Sequence, residues 1–188
     1  MNTAIIVENL PNTVIIQFNR PEIRSPLSIF VLEELHKILD EITKANLIFT
    51  GKGDVFASGA DLREIAKLTP QTAEEFALRG QSLMNKIAAK HAIAAVNGFC
   101  FGGALDLALS CKKRIASETA EFAHPGANLG IMTGWGGTQR LPRLIGQAAA
   151  LEMFFTAKRV SAEEALKIGL IDRISTNPLE TALELLAE

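Results

Sequence analysis

Only two cysteines, Cys100 and Cys111, occur in 188 residues, and their spacing matches neither a metal site nor a redox pair. Both read as buried thiols that behave as small apolar side chains. No apolar run approaches the roughly 20 residues a membrane-spanning helix needs. Met1–Leu10 lacks a basic stretch followed by an apolar core, so no secretory leader is read there and a cytoplasmic protein is expected. An excess of one charge is missing too. With 19 Lys and Arg against 21 Asp and Glu, the net −2 gives nucleic acid or an anionic membrane no electrostatic hold. Low-complexity segments, linkers and charge blocks are absent. A chain that is 48% hydrophobic and 21% charged, at a length suited to one core, reads as one domain over residues 1–188.

The order of elements points to an α/β protein. Ala4–Glu8 and Thr13–Phe18 are β-branched runs parted by Asn9-Leu10-Pro11-Asn12, which predicts a hairpin. Ser28 precedes Val31, Leu32, Leu35, Ile38, Leu39 and Ile42, apolar at helical spacing. Asn46–Thr50 is a short inner strand. Asp61 and Glu64 form a capping-box pattern for a helix over Leu62–Leu68. Thr69-Pro70 opens another helix, with Phe76, Leu83, Met84 and Ile87 on its buried side. Ala92–Asn97 is a strand, Gly103–Ser110 a helix, and from Lys113 the rhythm of strand, Gly/Pro-rich connection and helix repeats. Ser161 and Glu164 suggest a second capping box, Ile171–Ser175 a last strand and Pro178–Ala187 a closing helix. Repeated strand–strand–helix units with glycine turns imply layered sheets flanked by helices.

Two glycine turns carry the chemistry. Ser58-Gly59-Ala60-Asp61 and Phe101-Gly102-Gly103-Ala104-Leu105-Asp106 each precede a helix, so each can aim a free backbone N–H outward. Two such donors converging on one carbonyl oxygen would form an oxyanion hole, and removing one donor typically costs about 3–4 kcal/mol of barrier.

These segments resemble the crotonase family, the enoyl-CoA hydratases, isomerases and their relatives. The resemblance rests on Asn19-Arg20-Pro21-Glu22, Phe56-Ala57-Ser58-Gly59-Ala60-Asp61-Leu62, and Ala94-Ala95-Val96-Asn97-Gly98 followed by Gly102-Gly103. It continues through Gly136-Gly137-Thr138-Gln139-Arg140-Leu141-Pro142 and Ala165-Leu166-Lys167-Ile168-Gly169-Leu170-Ile171-Asp172. It runs in order from about Ala4 to Ile174 and implies a spiral of ββα units, assembly as homotrimers or hexamers, and acyl-CoA thioesters as substrates. No metal and no cofactor beyond the thioester is implied. The N–H groups of Ala60 and Gly103 would hold the thioester oxygen. Ala60, Asp61, Leu62 and Arg63 would lie along the CoA arm, and Arg24 is either a contact for CoA phosphate or a solvated surface arginine.

The pattern then breaks. The first hydratase glutamate is matched by Asp106, three residues after Gly103 and so on the same helix face. Its position near a helix N-terminus favours the charged form, making it a base aimed at the reacting carbons. The second glutamate aligns with Gly126, which carries no proton, so ordinary hydration is expected to be weak. Dihydroxynaphthoyl-CoA synthases also resemble the chain here, with a glycine at this place and bicarbonate as a borrowed base. Alternatively His124 serves as acid/base, its ordinary pKa suiting that work. Trp135 reads as packing or as an acyl-pocket wall. Relatives continue into C-terminal helices that cover the active site, so a short member is expected to have a wetter site. Three functions follow: a hydratase/isomerase-like enzyme, a decarboxylase of malonyl-type thioesters, or a non-catalytic acyl-CoA-binding subunit.

Overall fold

In the computed structural model, which describes residues 3–42 and 46–187, the strands from the third to the eighth are dealt alternately to two sheets. Met1, Asn2 and Glu188 lie outside the described residues, and with them the first two positions of the segment read for a leader. The larger sheet has the order β1 (Ile5–Asn9), β2 (Thr13–Phe18), β3 (Asn46–Gly51), β5 (His91–Val96), β7 (Lys113–Ala116), β10 (Arg173–Ile174). The smaller runs β4 (Val55–Ala57), β6 (Phe99–Phe101), β8 (Glu121–Ala123), β9 (Val160–Ser161). β1 pairs antiparallel with β2 and β9 antiparallel with β8; the remaining pairings are parallel.

Each of the pairs β3/β4, β5/β6 and β7/β8 is followed by helix. α2 (Leu62–Ile65) and α3 (Pro70–Ala88) follow the first, α4 (Gly103–Ser110) the second, and α5 (Gly137–Ile145) with α6 (Gln147–Thr156) the third. This is the spiral of ββα units that the family resemblance implies. Asn97 ties two of its corners together: its side chain accepts from Gly51 N–H at 2.9 Å and donates to the Gly53 carbonyl at 2.7 Å.

The inner strands are apolar on both faces because both faces are covered, as parallel strands require. Val14, Ile16, Phe18, Leu47, Phe49, Ala92, Ala94 and Val96 point into the main core. The alternate residues Ile15, Ile48, Ile93, Ala95 and Ile115 form a second core with α8 (Pro178–Ala187), which supplies Ala182, Leu179, Leu183 and Leu186. α1 (Ile29–Glu41) is capped by Ser28, which accepts from Val31 N–H at 3.3 Å, and buries Val31, Leu32, Leu35 and Leu39.

Two local expectations are corrected, and one feature left no mark in the sequence. The four strands of the smaller sheet have two or three residues each, too few for a visible period. The last strand is only Arg173–Ile174, its neighbours being held by single bonds such as Ser175 N–H to the Ala116 carbonyl at 2.9 Å. Neither capping box closes reciprocally. Asp61 does cap α2, but Glu64 turns away and accepts from Ile29 N–H at 2.8 Å, capping α1 instead. Ser161 caps α7 (Ala162–Lys167), while Glu164 pairs with Lys158 at 2.9 Å. Among the described residues no helix is long and apolar enough to cross a membrane.

Candidate active site

The two glycine turns meet. Gly59 has φ +86°, open to glycine but strained for other residues, and a Cβ built on it would lie 2.8 Å from Gly103 N and 2.5 Å from the Phe101 carbonyl oxygen. The turns are therefore seated back to back with no room for a side chain. Gly102, at φ 54° and ψ −123°, swings the chain from β6 into α4, its N–H bonded to the Ala123 carbonyl at 2.9 Å. Gly103 is the first residue of α4, so its N–H has no intrahelical acceptor. Among the described residues, neither Ala60 nor Gly103 N–H donates to a main-chain carbonyl of the loops and caps.

The first turn is braced from behind. Gly59 carbonyl accepts from Leu27 N–H at 2.8 Å, and Ser58 N–H donates to the Arg24 carbonyl at 2.9 Å. Arg24 and Ser25 both take left-handed backbone, at φ 61° and 46°, which is uncommon for residues other than glycine. Ser25 N–H donates to the Arg20 carbonyl at 2.8 Å, and the Ser25 hydroxyl accepts from Arg20 N–H at 3.2 Å. Strain held by surrounding bonds in this way concentrates at functional sites.

Ala60 and Gly103 open onto a cavity of about 280 Å³. Leu62, Ile65, Phe76, Ile131, Met132 and Trp135 are among its mostly apolar walls, and Gly126 also lines it. Leu62 and Met132 remain more than half exposed, so the apolar lining reaches the surface. Trp135 itself is 2% exposed. Its indole fills the space where side chains on Gly80 of α3 and Gly103 of α4 would start, 2.1 and 2.2 Å from those Cβ positions. Trp135 thus packs between α3 and α4 and lines the cavity.

Asp106 sits one turn into α4 with no exposure and is not among the cavity's lining residues. Its Oδ2 accepts from the Thr133 hydroxyl, and the Trp135 and Gly137 amides and the Arg140 charge also favour its ionised form. Burial outweighs them and raises its pKa from 3.8 to about 7. The expectation of a charged base facing the reacting carbons is corrected on both counts. Desolvation exceeds the helix-end effect, and the side chain points behind the cavity wall toward the 133–137 loop.

His124 follows β8, lines the cavity and is 3% exposed. Burial lowers its pKa from 6.5 to about 4, which overturns the expectation of an ordinary imidazole titration. Its Nε2 lies 3.6 Å from Asp106 Oδ1, and its ring stands 5.1 Å from that of Phe154 on α6. Among the described residues, Asp106 Oδ1 and both His124 nitrogens are buried without a hydrogen-bond partner.

Gly126 belongs to the 3-10 turn Pro125–Leu129, where Ile131 N–H bonds its carbonyl at 3.0 Å. The Ile131 carbonyl folds back so closely that a Cβ on Gly126 would lie 2.4 Å from its oxygen. At the rim Asp61 is buried and pairs with Arg63 at 2.6 Å, which holds its carboxyl below the usual range; the Arg63 side chain is itself 77% exposed. Arg24 is exposed, lies over the Phe99 ring at 5.9 Å and does not line the cavity. Cys100 and Cys111 are free and buried, and burial pushes both thiols up.

Thr133 and Phe154 were not legible as site residues. Thr133 sits in an irregular loop, and Phe154 reads only as one more apolar helix position.

Known proteins share this chain's sequence pattern and fold. Residues 9–187 match the enoyl-CoA hydratase/isomerase family. A crotonyl-CoA hydratase of Syntrophomonas wolfei is 40% identical over 180 residues, covering 90% of this chain and 68% of the relative. The mitochondrial enoyl-CoA hydratase of Pongo abelii is 38% identical over 180 residues, covering 92% and 61%. The chain therefore spans about two thirds of the length of such curated relatives. A crystal structure of an enoyl-CoA hydratase from Bacillus anthracis superposes with a TM-score of 0.91 at 36% identity, covering 98% of this chain and 76% of that one. With the sequence motifs, the two-sheet spiral and these relatives in agreement, the chain belongs to the enoyl-CoA hydratase/isomerase family and has the crotonase fold.

Proposed function

We propose that this chain binds acyl-CoA thioesters and stabilises their enolates, with the N–H groups of Ala60 and Gly103 holding the thioester oxygen. The observation that carries the reading is the back-to-back seating of the two turns on one cavity, where a Cβ on Gly59 would come within 2.8 Å of Gly103 N. Two fixed dipoles in an apolar wall stabilise developing negative charge without reorganising, and water exclusion strengthens both. The apolar lining suits an acyl chain, and the rim at Ala60–Arg63 would take the pantetheine and adenine arm. Assembly as a homotrimer or a pair of trimers belongs to the same reading. Exposed Leu151 and Phe155 on α6, at 50% and 70%, offer apolar surface for a neighbouring subunit.

The reaction class we favour is the hydratase/isomerase type. A malonyl-type decarboxylation remains the second reading, favoured by a cavity whose apolar walls would desolvate a substrate carboxylate.

The test is calorimetric and needs no mutation. Octanoyl-CoA is titrated against the thioether analogue that lacks only the carbonyl oxygen. Two N–H donors to that oxygen should make the thioester bind about tenfold tighter or more. Equal affinities would remove the oxyanion hole from the account, and binding of neither ligand would remove acyl-CoA.

A further inference from the structure

Aromatic side chains are scarce in this chain, yet three of them line one cavity. The sequence holds ten phenylalanines, one tryptophan and no tyrosine, and Phe76, Trp135 and Phe154 all border the space onto which Ala60 and Gly103 open. Phe76 on α3 and Trp135 have ring centroids 5.6 Å apart with planes at 42°. Phe154 on α6 stands 5.1 Å from the ring of His124, which also lines the cavity. Much of the remaining wall is small, with Ala73, Ala77, Gly126 and Gly134.

The aromatic wall is fixed, and it begins at the second glycine turn. The Trp135 indole occupies the places where side chains on Gly80 and Gly103 would begin. It is thereby held between α3 and α4, next to the residue whose N–H would hold the thioester oxygen. The backbone that carries it is tied on both sides. Gln81 Nε2 on α3 donates to the Gly134 carbonyl at 2.8 Å, and the Arg140 guanidinium on α5 donates to the Trp135 carbonyl at 3.2 Å. A group attached close to the thioester carbonyl, rather than the far end of a long chain, is the one that meets the indole.

Polar side chains on the same wall are few: Ser58, Thr133 and His124. Thr133 donates its hydroxyl to Asp106 Oδ2, and both His124 nitrogens are buried. Ser58 belongs to the first glycine turn itself. Among the described residues that line the cavity, no side chain beyond that turn is free to bind a hydroxyl or carboxylate carried by the acyl group.

We propose that the cavity selects a ring-bearing acyl group, an unsubstituted aryl ring carried on Cα of the thioester, over a linear chain of the same carbon number. The proposal rests on the thioester reading above and names the acyl class within it.

Size and rigidity both favour the ring. A benzene ring fits an apolar cavity of about 150 Å³. The space of about 280 Å³ therefore takes that ring together with the thioester carbon and its neighbour. A flat ring meets fixed aromatic faces and edges in offset or edge-on contact, which stabilises it beyond the area it buries. Few bonds between carbonyl and ring need fixing, whereas an octanoyl chain must order its whole length. An aryl ring on Cα is also conjugated with the enolate, so charge held at Ala60 and Gly103 would spread onto the group that the indole faces. Apolar area alone points the other way, because the linear chain has more of it to bury. Comparing the two acyl groups therefore separates ring recognition from an ordinary greasy groove.

Calorimetry on the intact protein with phenylacetyl-CoA and octanoyl-CoA, which have equal numbers of acyl carbons, tests the proposal. Phenylacetyl-CoA should bind about threefold tighter or more. A smaller preference, or one for octanoyl-CoA, overturns the proposal and leaves the thioester reading standing. Binding of neither thioester overturns both.

Two further readouts locate the ring. Saturation with phenylacetyl-CoA should shift the emission of Trp135, the only tryptophan in the chain. Unchanged emission would put the ring elsewhere and overturn the proposal without recourse to any variant. Phe76→Leu, at a partly buried position, keeps the wall apolar but removes one ring of the pair, and should bring the two affinities together. A preference undiminished in that variant overturns the proposal as well.

Discussion

Burial of Asp106 and His124 should leave a signature in stability that neither residue shows alone. For Asp106 the folded-state pKa is raised from 3.8 to about 7. The folded protein keeps a proton that the unfolded chain has released, so this stabilising contribution is full below pH 3.8 and is lost as pH rises toward 7. A shift of about three units corresponds to about 4 kcal/mol. For His124 the folded-state pKa is lowered from 6.5 to about 4, so the contribution is full above pH 6.5 and is lost as pH falls toward 4. That shift corresponds to about 3 kcal/mol. Across the shared window the two slopes oppose each other, and the pair together contributes little pH dependence.

Single substitutions should unmask the halves. Relative to wild type, Asp106→Asn should gain about 4 kcal/mol as pH rises from about 4 to 7, while His124→Gln should gain about 3 kcal/mol as pH falls over the same range. Subtracting the wild-type curve removes every other titrating group. Trp135, the only tryptophan in the chain and 2% exposed, gives a fluorescence probe for urea unfolding at each pH. Two difference curves of opposite slope support a resting pair that is neutral. Curves with both slopes reversed would mean a charged aspartate–histidinium ion pair. Flat curves would mean that water reaches both groups, which would refute the burial argument.

Two further expectations follow from local geometry. Gly126→Glu restores a carboxylate to the place where the family resemblance puts the second glutamate. Its Cβ would nevertheless start 2.4 Å from the Ile131 carbonyl oxygen, so the variant should lose about 1–3 kcal/mol of stability and gain no hydration of crotonyl-CoA. Robust hydration would show that the 126–131 turn yields easily. Glu64→Ala should destabilise the protein by about 1–2 kcal/mol in urea, because it leaves Ile29 N–H and the N-terminus of α1 without their carboxylate, whereas Glu64→Gln, whose amide oxygen can still accept from Ile29 N–H, should lose less.

The legible part of the fold is the part written in periodic or steric constraints. Ile15, Ile48 and Ile93 sit between residues that face the main core, and such uninterrupted apolar runs announce strands buried on both faces. The residue that covers the second face cannot be found this way, since Ala182 and its leucine neighbours in α8 read simply as a closing helix. The smaller sheet escapes for another reason: its strands are too short for alternation to show, and they exist because each inner strand has turned a corner beside its neighbour. Glu64 illustrates the limit of local pattern. The spacing to Asp61 is that of a capping box, yet a carboxylate serves whichever helix end lies nearest in space, and here that end belongs to α1.

At the site the same division separates backbone from side chain. The meeting of the Ala60 and Gly103 turns could be anticipated because a bare backbone at Gly59 and Gly102 is a steric demand that the sequence records directly. The charge on Asp106 could not, because its position near a helix N-terminus argues for ionisation while its burial argues against it, and only the second depends on residues far along the chain. Thr133 and the Trp135 and Gly137 amides pull toward the charged form without overcoming that burial, and the stretch that carries them also crowds Gly126 through Ile131. One loop therefore crowds the place of the second glutamate and holds the remaining carboxyl behind the cavity wall. That coupling explains why replacing Gly126 alone should fail to return the chain to two-carboxylate chemistry: Asp106 would still lie behind the wall.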